Sequence, residues 1–81
     1  MSERDTLRGF IAGLLRDRDD TADIYASESL FVSGRLDSLA AVEVVAFLEE
    51  SFAVDFAATD FAIERIDSID AIATLVDEAR G

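Results

Sequence analysis

Apolar residues in this chain return at the spacing of a helix, and no stretch repeats convincingly at the spacing of a strand. Leu7, Phe10, Ile11, Leu14 and Leu15 stand at i, i+3, i+4, i+7 and i+8, the pattern of one buried helical face. Turned at ~100° per residue, Ala41, Val44, Val45, Leu48 and Phe52 gather into a second stripe. Ile69, Ile72, Ala73 and Val76 make a third, and there is no proline to interrupt any of them. The pattern predicts an all-α fold. It is a small bundle of three main helices plus a short one, with a long first loop, forming one domain over residues 1–81.

Local signals set the boundaries. Asp5 or Thr6 is expected to cap the first helix, which ends near Arg18. Residues 19–35 show no sustained period and form a connection longer than most loops in compact domains. Ile24, Tyr25, Leu30, Phe31 and Leu36 are its expected apolar anchors, and Ser33-Gly34 is a turn signal. The second helix should run from Ser38 to about Phe52. Phe56, Phe61, Ile63 and Ile66 suggest a short helix or turn across the bundle, and Ser68 or Asp67 should cap the last helix.

Composition narrows the chemistry. Eighteen Asp and Glu face seven basic residues, all of them Arg, for a formal net charge of −11. Nucleic acid and anionic membranes repel such a surface, so partners with basic patches are expected. Absence of Cys removes disulfides, thiolate metal sites and any native thiol nucleophile. Absence of His removes the usual base near neutral pH, so a Ser-His or Cys-His mechanism has no parts to work with. So small a bundle also leaves little room for an enclosed substrate pocket. An enzyme is not expected. A monomeric, cytoplasmic protein without membrane insertion is, since no apolar run approaches ~18 residues.

The acidic cluster Asp17, Asp19, Asp20, Asp23 and Glu28 invites comparison with a calcium-binding loop. Counted from Asp17, acids fall at the first, third, seventh and twelfth positions. Ala22 stands where that loop needs glycine for its sharp turn, and no helical pattern follows Glu28. A solvated acidic loop is the better reading, and no metal site is assigned.

Gly34-Arg35-Leu36-Asp37-Ser38-Leu39 leads into the second helix, with Val42-Glu43 following. A serine at a helix start has a plain role, satisfying free amides. It is also a candidate attachment point. Asp67-Ser68-Ile69 is nearly the same tripeptide before another helix, but it lacks the Gly-x-Leu lead-in and the Val-Glu. It reads as a cap. On the second helix, Leu39, Val42 and Ala46 fall off the core stripe beside Glu43 and Glu50, making either an idle surface or a partner-facing strip.

The wider pattern Gly34-x-Leu36-Asp37-Ser38-Leu39-x-x-Val42-Glu43 resembles the phosphopantetheine attachment motif of acyl and peptidyl carrier proteins. The resemblance covers nearly the whole chain in element order, size and acidity. It implies a 4′-phosphopantetheine arm, donated by coenzyme A and joined to Ser38 by a separate magnesium-dependent phosphopantetheinyl transferase. The arm's thiol would hold an acyl or aminoacyl thioester, and visiting enzymes would supply the catalysis. It further implies that Asp37 and Leu39 help dock the transferase, and that Val42, Glu43 and Ala46 belong to the face that partner enzymes read. Many fatty-acid carriers have an acid directly after the motif leucine, where this chain has Ala40. Together with Leu48-Glu49-Glu50 and Asp60-Phe61, this is closer to stand-alone aminoacyl or D-alanyl carriers loaded by an adenylating ligase. Fatty-acyl and polyketide cargo, loaded by synthase enzymes, stays open, as does an unmodified helical interaction module.

Overall fold

The computed structural model describes residues 3–56 and 62–80. Its regular elements are three α-helices, α1 (Glu3–Arg16), α2 (Ser38–Phe52) and α3 (Ile69–Arg80), and a 3₁₀ turn at Ile63–Ile66. Among the described residues there is no strand, so the all-α bundle expected from periodicity is the fold. No described helix is long and apolar enough to cross a membrane. The predicted short segment is this 3₁₀ turn, packed against α3 and α2. Asp60 and Phe61 lie outside the described residues.

The core forms where the three stripes meet. Leu7, Ile11, Leu14 and Leu15 come from α1, Val44 and Leu48 from α2, Ile66 from the turn, and Ile69, Ile72, Leu75 and Val76 from α3. Each such side chain contributes roughly 1.5–3 kcal/mol by leaving water. Trimming one at the centre, as in Leu48→Ala, is expected to cost about 2–5 kcal/mol.

Three boundary and packing details differ from the sequence reading. Asp5 and Thr6 lie inside α1 and do not cap it. The helix reaches back at least to Glu3, where the acidic first turn suits the helix dipole and Arg4 pairs with Asp70 of α3. Secondly, α2 is rolled relative to its expected stripe. Ala40 is fully buried while Val45 and Phe52 are only half-buried. Positions 40, 44, 47 and 48 share a face, and Phe47 lies flat on Phe10 of α1, ring centres 4.0 Å apart. Such stacking favours this face over the neighbouring one.

The third correction is Tyr25, which is 69% exposed and anchors nothing. Its amide donates to the Glu28 carboxylate at 2.8 Å and its carbonyl accepts the Glu28 amide. This tight turn holds the backbone and leaves the ring outside. Leu30 and Leu36 are fully buried anchors, with Ile24 and Phe31 half-buried beside them.

Helix ends are closed by specific devices. The amides of Asp19 and Asp20 donate back to the carbonyls of Arg16 and Leu15, with Asp19 in the left-handed conformation at φ 59°. That arrangement ends α1 where the sequence placed it. Ala53 plays the same part after α2 at φ 55°. Ser68 caps α3, its hydroxyl accepting the Ala71 amide at 3.0 Å.

Candidate functional site

Each residue of the stretch from Gly34 to Leu39 has a separate physical task. Gly34 closes a turn with its amide on the Phe31 carbonyl, at φ +89°, a backbone region that side chains disfavour. Arg35 turns back into the long loop. Its Nε and Nη2 each meet one oxygen of Asp20 at 3.0 Å, and Nη1 meets Glu28 at 2.8 Å. The carbonyls of Ala22 and Asp23 accept from the same guanidinium. Leu36 goes into the core and donates its amide to Leu30. Asp37, extended at ψ −180°, caps α2 by accepting the Ala40 amide at 2.9 Å.

Ser38 is therefore the first residue inside α2 rather than its cap. It is exposed, and with Asp37 holding the cap its hydroxyl has no partner among the described residues. Leu39 and Val42 follow on the outer face, 67% and 65% exposed, with Glu43 and Ala46 beside them. The strip separated by periodicity is thus a real surface, continuous with Ser38. Ala40 sits on the opposite side. An acid at that position would enter the core of this protein, so the contrast with fatty-acid carriers concerns packing as well as surface charge.

Sequence reasoning missed the arginines. Arg18, just past α1, donates through Nη1 to the Leu14 carbonyl at 2.9 Å and through Nη2 to Asp37 at 3.1 Å. Glu43 lies 3.8 Å from the same Nη2. Arg18 therefore ties the end of α1 to the cap of α2 and shields part of the outer strip. A periodic pattern contains nothing of this. The one available hint was that these cations stand among acids. The Asp37 carboxyl is held below its ordinary range by the Ala40 amide and then by Arg18. Asp20 is lowered chiefly by Arg35. Glu28 is lowered first by the Tyr25 amide, a pull that outweighs its burial, with Arg35 adding to it. Two of the acids considered for calcium are thus the partners of Arg35.

Two depressions lie near the start of α2, the first reaching Asp37, the residue directly before Ser38. One, of about 450 Å³, is lined by Arg18, Asp20, Ser33, Gly34, Arg35 and Asp37. The other, of about 330 Å³, is apolar and lined by Ala41, Val42, Val45 and Phe56. The Ser38 hydroxyl is exposed, and the first hollow, next to its neighbour Asp37, offers the guanidinium groups of Arg18 and Arg35 alongside the carboxylates of Asp20 and Asp37, cations of the kind that suit a phosphate ester.

A family model described as the phosphopantetheine attachment site matches residues 5–76. The chain belongs to the acyl and peptidyl carrier protein family. No curated protein and no solved structure matches it. Members of this family bind a covalently attached 4′-phosphopantetheine. Carrier domains of this kind are non-catalytic substrates of phosphopantetheinyl transferases and work with separate synthetic enzymes. The bundle and its long loop form the frame on which such a carrier presents its arm.

Proposed function

We propose that Ser38 carries the arm and that residues 1–81 act as one discrete carrier domain. The observation that carries this reading is the division of labour at the start of α2. Asp37 takes the capping role, leaving the Ser38 hydroxyl exposed and without a partner among the described residues. The family match spans both Ser38 and Ser68, but the Ser68 hydroxyl is occupied by the Ala71 amide.

The residues around Ser38 fit the group. Its oxygen would replace the nucleotide on the pantetheine phosphorus of coenzyme A. Adenosine bisphosphate would leave, and the hydroxyl proton would pass to the transferase. The N-terminal turn of α2 and nearby guanidinium groups favour the resulting anion. When bound, the arm supplies a thiol that holds cargo as a thioester, a function the cysteine-free chain lacks. Asp37 and Leu39 serve transferase docking, and Val42, Glu43 and Ala46 serve the enzymes that load and unload the arm.

The favoured cargo is an amino acid activated by a separate adenylating ligase, in a cytoplasmic setting. This rests on the likeness of the motif's surroundings to stand-alone aminoacyl carriers. The apolar depression at Ala41, Val42, Val45 and Phe56 favours a second reading, in which the cargo is a fatty or polyketide acyl chain.

Intact-mass measurement after incubation with coenzyme A, magnesium and a broad-specificity transferase tests the attachment. One increment is expected for the wild type and for Ser68→Ala, and none for Ser38→Ala. An unmodified wild type across several competent transferases would overturn the reading. Intact mass of protein isolated from its own host would then report the cargo.

A further inference from the structure

We propose that Arg18 is the residue that receives the phosphodiester of the arm, exchanging part of its contact with Asp37 for the new anion. This rests on Ser38 being the attachment point. It assigns a role to a residue outside the motif, twenty positions upstream in the sequence.

Arg18 is placed for this by three contacts. Its Nη1 is fixed to the Leu14 carbonyl at 2.9 Å, which holds the guanidinium against the end of α1. Its Nη2 reaches Asp37, the residue directly before Ser38, at 3.1 Å, with Glu43 beyond at 3.8 Å. It also lines an open hollow together with Asp37, the residue directly before Ser38. A guanidinium has five N–H donors. The contacts to Leu14 and Asp37 leave donors over, and the Nε–H is buried without a partner. The head is thus anchored at one end and underused at the other.

Charge makes the same case. Before modification, one cation faces the carboxylates of Asp37 and Glu43. A phosphodiester on Ser38 adds a third negative charge at this spot, in a chain already at −11. Arg35 lines the same hollow but is filled by Asp20, Glu28 and two loop carbonyls. Arg4, Arg8 and Arg65 are engaged with Asp70, the Ile24 carbonyl and Glu78. Arg16 lines a different depression, with Ala12 and Ile24. Among the arginine side chains that the structure describes, Arg18 is the one beside Asp37 with donors to spare for the new charge, and the planar fork suits a phosphate that a lysine would meet only as a point charge.

The test compares unloaded and loaded protein. Wild type, Arg18→Gln and, as a distant control, Arg65→Gln are loaded and checked by intact mass. The arginine Nε–H resonances are then followed by NMR, and Tm is measured before and after loading. On loading, the Arg18 resonance of the wild type is expected to move more than that of any other arginine. Loading is expected to lower the Tm of Arg18→Gln by about 2–4 °C more than it lowers that of the wild type or the control, the scale of an exposed ion pair in a domain this small. An unmoved Arg18 resonance, or equal Tm changes on loading, overturns the role of Arg18 while the attachment at Ser38 stands. Failure of the wild type to gain mass overturns both. Should Arg18→Gln not fold, the resonance shift in the wild type decides alone.

Discussion

Ser38 and Ser68 stand one step apart in their relation to the helices they introduce. Ser68 lies before α3 and caps it, whereas Ser38 lies inside α2 and leaves the cap to Asp37. The two aspartates diverge in turn. Asp37 faces the start of its own helix, while Asp67 faces the long loop and accepts the amides of Phe31 and Val32 and the hydroxyl of Ser29.

This offset separates stability from modification. Ser68→Ala should destabilise the fold by about 1 kcal/mol, the usual cost of a lost cap. The Tm should fall by roughly 4–8 °C in a domain of this size. Ser38→Ala should stay within about 0.5 kcal/mol of the wild type, as exposed substitutions do. Thermal unfolding of the two variants checks the contrast without any enzyme.

Two left-handed positions carry the wrong and the right residue for their backbone. Gly34→Ala should destabilise by about 1–2 kcal/mol through its φ alone, since an added Cβ meets nothing within 4 Å. Ala53 has φ 55° after α2, so Ala53→Gly should stabilise by about 0.5–1 kcal/mol. Urea midpoints with unchanged slopes would show both effects as changes in stability alone.

Arg35→Lys should behave almost like a deletion. A single ammonium cannot meet both Asp20 oxygens, Glu28 and two carbonyls with the geometry of a planar fork. Amide exchange across residues 20–28 is expected to accelerate in this variant, while exchange in the α3 core stays at the wild-type rate. Unchanged exchange in the loop would show that its apolar anchors suffice.

Acid should release the loop from α3. Burial raises the pKa of Asp67, but hydrogen bonds from Ser29, Phe31, Val32 and Leu30 outweigh it and leave it below its ordinary value of 3.8. A carboxyl lowered on folding contributes stability above its unfolded pKa and loses it as pH falls through the folded one. Stability should therefore be level with respect to Asp67 above about pH 5 and decline below about pH 4. Asp67→Asn should lower stability at neutral pH and flatten that acid limb. An acid limb as steep as the wild type's would remove Asp67 from this account.

What the sequence made legible was whatever repeats along one helix. The stripes of α1 and α3, the Val44 and Leu48 part of the α2 stripe, the outer position of Leu39 and Val42, and the Ser68 cap each follow from residues a few positions apart. The contacts that hold the site are of another kind. Arg18 meets Asp37 and Arg35 meets Asp20 across a loop, and nothing local distinguishes such arginines from solvated ones. Tyr25 misled because an aromatic ring in a loop usually seeks the core, and here a backbone turn closed by Glu28 keeps it out. The roll of α2 onto Ala40 depended on Phe10, a residue of another helix.

The hollow that reaches Asp37 has guanidinium groups on its walls, and the chain has no lysine at all. A guanidinium stays protonated at any pH the fold would survive, so its nitrogens have no lone pair with which to attack an acyl group. An amine in the same place would, over time, take the acyl group from a thioester parked there and keep it as an amide. With Cys and His also missing, an arm at Ser38, as proposed above, would meet side chains that bear its charge without consuming its cargo. On the proposed function, that inertness would set how long a loaded molecule stays useful.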